Sequence, residues 1–458
     1  MAIAVIGDVA LLSAGANGDG GTPAAAAVRQ SRPAPSPSSG LVRLVEKRPL
    51  RAGDSGVAVR SLQTALNEAG FEVPPDGLFG TTTRAAVVAF QSTRGLAADG
   101  VVGPATARLL VDGDSATPRG TADASSDATV VRDGITNAVG AGRLSSRAGA
   151  RYSRILSQSL FQLGLVPAEQ AAVLASVLRD VAVQAPSYDE PRALVLFTML
   201  ETNARFLKTS SLPTSPTDIE GADGVVYRSV PGHGYQFHPL ANFARLNGLV
   251  TARRREEAAR VADALVARGL EQGGTLTWEY YFPFGGPSRW ESGFAQAVAA
   301  QALARTAELV GDKRRLSAAR RAFRGLSTRL AWSLAGGSWV REYSFNDAVI
   351  LNAQLQSLAS LLDYGRIVKD SDTVAFVARL DRATRTLLPR FDTGCWSRYL
   401  LGGGAASRHY HEYHVSLLKL LAARTGASVY RDAATHWAGY IDGSGCPESR
   451  NGGGSSTR

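Results

Sequence analysis

Two short blocks concentrate the side chains that can move protons. One is Glu342-Tyr343 followed by Leu351-Asn352. The other is Phe391-Asp392-Thr393-Gly394-Cys395-Trp396-Ser397-Arg398-Tyr399, running on to Tyr410-His411-Glu412-Tyr413-His414. They set a carboxylate, several phenols and two imidazoles beside aromatic rings and a glycine turn. Carboxylates and phenols serve as acid and base when neighbours tune their pKa values. Aromatic rings accept the aliphatic C–H face of a sugar. The set therefore suits proton transfer on a sugar ring. Two more aromatic loops accompany it. Tyr280-Tyr281-Phe282-Pro283-Phe284-Gly285-Gly286 leads to Arg289-Trp290-Glu291-Ser292-Gly293, and Gly232-His233-Gly234-Tyr235-Gln236-Phe237-His238 precedes Pro239-Leu240. Ser292 is placed to cap a helix starting near Phe294.

The elements that must hold these loops read as helices. Helical periodicity recurs over 153–166, 168–183, 190–207, 238–249, 253–270, 290–310, 313–334, 345–364, 370–388, 409–424 and 427–441. Short connections favour antiparallel neighbours. Brief strands are expected only around Gly273 to Trp278 and Gly337 to Val340. The predicted fold class is mainly α. Stacked hairpins over 150–443 close into an α/α toroid or incomplete α/α barrel, with chemistry on loops at one mouth.

A smaller module occupies 48–111. Asp76-Gly77-Leu78-Phe79-Gly80 with Thr83 has the form DGxxGxxT, and Asp99-Gly100-Val101-Val102-Gly103 with Thr106 repeats it. Each Asp-Gly makes a turn and each Thr falls in the ensuing helix. Val59, Leu62, Leu66 and Ala69 form one apolar face, and Ala85, Val88, Ala89 and Phe90 another. A three-helix bundle stitched by two equivalent loops is expected. Residues 1–47 read as disordered or a degenerate signal, 112–149 as a linker rich in Ser, Asp, Ala and Gly, and 444–458 as a disordered tail.

Gly53-Asp54-Ser55-Gly56, Val59, Leu62-Gln63, Leu66, Gly70, the two turns and Phe90-Gln91 resemble the peptidoglycan-binding domain of bacterial wall hydrolases. The resemblance implies anchoring to peptidoglycan or another wall glycan, in an extracytoplasmic setting. It implies no catalysis. Asp76, Asp99 and the turn glycines read as fold determinants rather than ligands.

Composition bounds the rest. The chain has 458 residues, a net charge of +10 and 45% hydrophobic residues, which suits a globular protein of two or three domains. Its basic residues are dispersed and no nucleic-acid motif occurs, so nucleic acid is not an expected partner. Anionic polymers such as wall glycans or polyuronates are. Ala2 to Gly15 is mildly apolar, lacks a basic flank and is interrupted by Asp8, which makes a poor signal peptide. No membrane span is read. Cys395 and Cys446 form one bridge or stay free thiols. No Cys/His spacing resembles a zinc site, and neither metal nor cofactor is expected.

Over roughly 235–441 the chain resembles the C-terminal domain of the D-glucuronyl C-5 epimerase family. The resemblance rests on Trp278, Phe282-Pro283-Phe284-Gly285, Ser292-Gly293-Phe294-Ala295-Gln296, Glu342-Tyr343, Leu351-Asn352, Leu358 to Tyr364, Leu388-Pro389, Phe391 to Gly394, Tyr399 and Tyr410-His411. It implies inversion at C-5 of a uronic acid within a polysaccharide. That reaction needs an acid and a base on opposite ring faces and donors for the charge that develops on the carboxylate. By the resemblance, Glu342 or Tyr343 serves one face and Tyr399 or Tyr410 the other. Arg289, Arg398 and Arg408 are candidates to clamp the carboxylate, and His411 and His414 to donate or shuttle protons. Tyr281, Phe284, Trp290, Asn352 and Trp396 complete the expected substrate contacts. The chain departs from the family after Tyr399: Leu400-Leu401 and Gly402-Gly403-Gly404 stand where the family runs Tyr-Asp-Leu, then Arg-His. The family's N-terminal β-domain has no counterpart. Two other classes stay open. A glycan-binding protein without turnover is one. A hydrolase using facing carboxylates among Glu279, Glu291, Glu342 and Asp392 is the other, with a lyase as a variant of the epimerase.

Overall fold

The computed structural model describes residues 41–441 apart from 70, 72, 94–99, 112–120, 211, 213–216 and 285. The predicted tail and most of the predicted N-terminal disordered segment lie outside the described residues. The chain forms two compact units, Met1–Ala116 and Thr117–Arg458.

The first unit contains α1 (Leu41–Lys47), α2 (Val57–Glu68), α3 (Thr81–Thr93) and α4 (Pro104–Val111). Val59, Leu62, Leu66, Val87, Phe90 and Val102 fill its core. The expected start at residue 48 is too late. Leu41 and Val45, one helical turn apart, are fully buried in this core, and α1 packs on α4. The internal repeat has a structural cause. Buried Gln63 on α2 donates to Asp76 Oδ1 (2.7 Å), Leu78 O (3.0 Å) and Thr83 Oγ1 (3.0 Å), and accepts from Gly77 N (2.7 Å). Gln91 on α3 does the same for the second turn, donating to Val101 O (2.9 Å) and Thr106 Oγ1 (3.3 Å) and accepting from Gly100 N (2.9 Å). Asp76 and Gly77 are thus fold determinants; Asp99 lies outside the described residues.

The second unit opens with a helix, α5 (Thr121–Gly140), where part of a linker was expected. Ala124, Ala128, Val131, Ile135 and Ala138 recur at helical spacing and are buried, against α6 (Ser146–Leu163) and α7 (Ala168–Val183). The intervening Ser, Asp and Gly residues gave the segment a linker's composition and hid the stripe. Then come α8 (Glu190–Leu207) and a sheet of β1 (Asp218–Glu220), β2 (Val226–Val230) and β3 (Gly234–Phe237). This sheet was not anticipated, because β2 and β3 are buried on both faces and show no alternation. Buried amides pin it: Asn203 bonds both backbone groups of Tyr235, and Asn242 both of Val226.

The remaining helices alternate in kind. α9 (Pro239–Thr251), α11 (Gly293–Val310), α13 (Leu351–Val368) and α15 (Arg408–Thr425) pack in succession on one another. α11 is buried on all sides from Gly293 to Ala304. α10 (Arg255–Val266), α12 (Lys313–Arg329), α14 (Ser371–Leu387) and α16 (Ser428–Ile441) each bury one stripe, such as Ala318, Ala319, Ala322, Phe323 and Leu326 of α12. Inner and outer helices of a mainly α architecture follow from these patterns. Hairpins β4 (Leu270–Gln272) with β5 (Thr275–Thr277), β6 (Glu279–Tyr280) with β7 (Trp290–Glu291), and β8 (Ala331–Leu334) with β9 (Gly337–Val340) decorate the connections. The first and third lie where brief strands were expected.

The loops preceding the inner helices are joined to one another. Leu240 N donates to the Tyr280 hydroxyl (3.3 Å), and Ser344 N to Glu291 O (2.9 Å). Leu351 N donates to Tyr399 O (3.1 Å), and Leu401 N to Val349 O (3.0 Å). Side chains cap three of these helices: His238, Ser292 and Ser407. Gly293 lets the segment before α13 approach α11, since a Cβ there would stand 2.6 Å from both Arg341 O and Leu330 O. Gly293→Ala is expected to destabilise this unit by about 2 kcal/mol or more through backbone displacement. Thermal melting checks this; an unchanged midpoint contradicts it.

Candidate active site

Glu342 is fixed by backbone pairing rather than held on a free loop. Arg341 O accepts from Gly293 N (2.8 Å), and Ser344 exchanges bonds with Glu291 through its backbone N (2.9 Å) and its Oγ (3.0 Å). The Glu342 side chain between these anchors is buried, and its Oε2 has no hydrogen-bond partner. Burial pushes its carboxyl up to about 8.

Phenols surround this carboxyl. Tyr343 is held well above the ordinary phenol range, first by burial and then by the charges of Glu342, Tyr410 and Tyr280. Its hydroxyl makes no hydrogen bond, although Tyr399 is near enough to oppose the rise. Tyr399 is raised in the same way, by burial, Tyr410, Tyr343 and Glu342, with the Asn352 amide acting against the rise. Asn352 Oδ1 is also buried without a partner. The Tyr399 and Tyr410 rings meet edge to face at 4.6 Å. Ser407 caps α15 by accepting from Tyr410 N, which sets Tyr410 in the first turn. Glu342, Tyr343, Tyr399, Tyr410 and Asn352 are therefore gathered in one place.

Buried polar atoms without partners cost about 1–3 kcal/mol each. Such atoms occur elsewhere in the unit, for instance Trp339 Nε1 and Tyr364 Oη. Here Glu342 Oε2, Tyr343 Oη and Asn352 Oδ1 lie around one set of rings, which is the condition of a site awaiting polar groups from a ligand.

The other expected contacts divide. Phe284 is partly exposed and stacks on Tyr343 at 5.4 Å, so its ring flanks the site. Trp290 and Tyr281 are packed inside the fold, with the Trp290 ring edge-on to Tyr343 at 5.5 Å. Trp290 is buried, stacked on Tyr280 at 4.0 Å with Nε1 donating to Phe282 O. Tyr281 is buried and donates to Glu279 Oε2 (3.1 Å). Strand alternation turns Tyr280, not Tyr281, toward Glu342. Trp396 stacks on His411 at 3.9 Å and donates to Ala406 O. His411 uses both nitrogens, accepting from Ser397 N (3.1 Å) and bonding Trp437 O (2.9 Å); it braces the loop rather than moving protons. His414 bonds Ser397 Oγ through Nδ1 (2.9 Å), while its Nε2 is unpartnered. Burial and then His411 push its pKa down to about 3, so it is neutral at physiological pH.

The arginines are committed. Arg408 is 70% exposed and paired with Glu412 (2.8 Å). Arg398 donates to Gly403 O. Arg289 donates to Ser187 Oγ (2.6 Å) and lies 3.7 Å from Glu279. The carboxylates are committed as well, except Glu342. Glu279 holds Arg192 bidentately (2.9 and 3.1 Å), Glu291 holds Arg329 (2.9 Å), and Asp392 accepts from Trp437, Tyr440 and Gly394. Asp392 is structural, and two free facing carboxylates are not found among these four. Cys395 is disulfide-bonded; Cys446 lies outside the described residues.

Two phenols near Glu342, and a cation beside one of them, were not among the expected site residues. Tyr280 and Tyr413 are both raised by burial and by the Glu342 charge, and Tyr413 donates to Gln356 (3.0 Å). Tyr413 follows Tyr410 by one helical turn, a spacing that could have revealed it. Arg228, a buried cation from β2, lowers Tyr280; nothing in its sequence context marks it.

Residues 272–439 match the family described as D-glucuronyl C5-epimerase C-terminus, and 55–110 match the putative peptidoglycan binding domain. An uncharacterized Methanocaldococcus jannaschii protein is 25% identical over 35% of this chain and 57% of its own length. The D-glucuronyl C5-epimerase of Caenorhabditis elegans is 27% identical over 34% of this chain and 30% of its own. The zinc D-Ala-D-Ala carboxypeptidase of Streptomyces albus G is 46% identical over 15% of this chain and 29% of its own. The chain thus spans less than two thirds of each relative. Each family match is confined to one part of the chain, the first to the second unit and the second to the first unit. No helix among the described residues is long and apolar enough to cross a membrane.

Proposed function

We propose that this chain epimerises C-5 of a uronic acid inside a polysaccharide, outside the cytoplasm and near the wall to which its first unit binds. The observation that carries the reading is the buried Glu342 carboxyl, its Oε2 without a partner, grouped with Tyr343, Tyr399 and Tyr410. A general base works best with a pKa near the working pH, and Glu342 at about 8 is such a group. In the ionised form it takes the C-5 proton. The electron pair moves into the uronate carboxyl, and the unsatisfied Tyr343 hydroxyl is the donor placed to meet that charge. A neutral phenol, Tyr399 or Tyr410, returns a proton from the other face. Burial holds Tyr399 well above the ordinary phenol range, which keeps it protonated for that step.

A second reading has its own support. Arg289, Arg398 and Arg408 all bond elsewhere, which favours a groove that binds uronate glycan without turnover. One experiment separates the two. The protein is incubated in deuterated water with polyuronates and wall glycans, and C-5 label is read by NMR. Label with wild type and none with Tyr399→Phe supports epimerisation. Binding of a glycan without any label rejects it in favour of the second reading.

A further inference from the structure

An open cleft of ≈ 690 Å³ lies on the early helices of the second unit, and none of the candidate active-site residues lines it. Arg147, Arg151 and Arg154 of α6 line it, with Tyr152, Glu190 and Leu194. The spacing of these arginines, one helical turn at a time, puts all of them on one face. They span about 10 Å along the helix axis, comparable with a short run of sugar rings. Each is exposed, and among the described residues none is paired with a carboxylate. That sets them apart from Arg192, Arg228, Arg245, Arg268 and Arg315, which are all in ion pairs. Glu190 is the one carboxylate in the lining, and it already accepts from Ser145 N (2.9 Å). The floor is firm: Tyr152 is buried and stacks on Phe197 at 4.5 Å. All of these residues precede residue 272, where the epimerase-family match begins.

We propose that this cleft is an accessory site for an anionic glycan strand, whose uronate carboxylates pair with Arg147, Arg151 and Arg154. Guanidinium binds carboxylate bidentately and is weakly hydrated, so a row of them favours carboxylated polymer over neutral polymer. The ligand class rests on the functional reading above; the existence of an anion site does not. The site holds the polymer on the same unit that carries the candidate active site and raises its local concentration.

The test uses the full chain with Glu342→Gln, so that turnover does not alter the ligand. Affinity is measured for a glucuronic-acid polysaccharide, the same polymer with its carboxyls reduced to alcohols, and a phosphodiester wall polymer. The comparison variant adds R147E, R151E and R154E. The expected result is at least a tenfold loss of affinity for the polyuronate, with the reduced polymer bound equally by both proteins. The difference should shrink as salt rises. Equal polyuronate affinity for both proteins overturns the proposal, as does selective binding of the phosphodiester polymer. If circular dichroism shows the triple glutamate variant unfolded, the triple glutamine variant is read against the same expectations. Failure of C-5 exchange together with arginine-dependent polyuronate binding removes the epimerase reading and leaves this site standing.

Discussion

Glu342→Gln is expected to abolish C-5 proton exchange while making the protein more stable at alkaline pH. The loss should be about 10²–10⁴-fold or more, the usual contribution of a general base. The gain follows from linkage. The folded pKa of Glu342, about 8, lies above its ordinary value of 4.5. Between those values the folded chain keeps a proton that the unfolded chain has released. Stability from this group is therefore fully present below about pH 4.5 and is lost as pH rises through about 8. Glutamine does not titrate, so the variant escapes that loss. Its advantage should be slight at pH 4 and on the order of 2–4 kcal/mol above pH 9. Denaturant unfolding at both pH values tests it. A stability difference that does not change with pH means that Glu342 is not held protonated by burial. The activity profile carries the same sign: a base must be ionised, so turnover should climb through about pH 8.

Tyr343→Phe should separate activity from stability in a similar way. Its hydroxyl is buried and makes no hydrogen bond. Removing an unsatisfied buried hydroxyl should leave stability unchanged or raise it by about 1 kcal/mol. Turnover should fall about 10²-fold or more, because a donor to the developing charge is gone. Tyr413→Phe is the contrast. It deletes the hydroxyl that donates to Gln356, so it should lower stability by about 1 kcal/mol. If Tyr343→Phe destabilises as Tyr413→Phe does, the hydroxyl has a structural partner and the site reading weakens.

Helices were legible because each outer one buries a single stripe and three of the four inner ones start at a side-chain cap. The segment 190–207 reads as helix from its pattern, and α8 occupies those residues. α5 was missed because small and polar residues dilute its stripe, and β2 and β3 because full burial erases alternation. At the site, residue type pointed to Glu342 and the tyrosines, which are drawn together. It did not foretell that Trp290, Tyr281 and His411 complete bonds inside the fold. Aromatic or imidazole identity does not tell which way a side chain turns. Strand register and helix phase decide that, and both depend on contacts distant in sequence.

The glutamines of the first unit carry a last consequence. Gln63 reaches forward from α2 to the turn that launches α3, and Gln91 from α3 to the turn that launches α4. Each helix therefore certifies the loop of its successor, so neither copy of the repeat is self-sufficient. A fragment cut after Thr93 would keep Gln91 and lose everything its amide bonds. Duplication here has produced a chain of dependencies rather than interchangeable halves, and the unit should unfold as a single cooperative block.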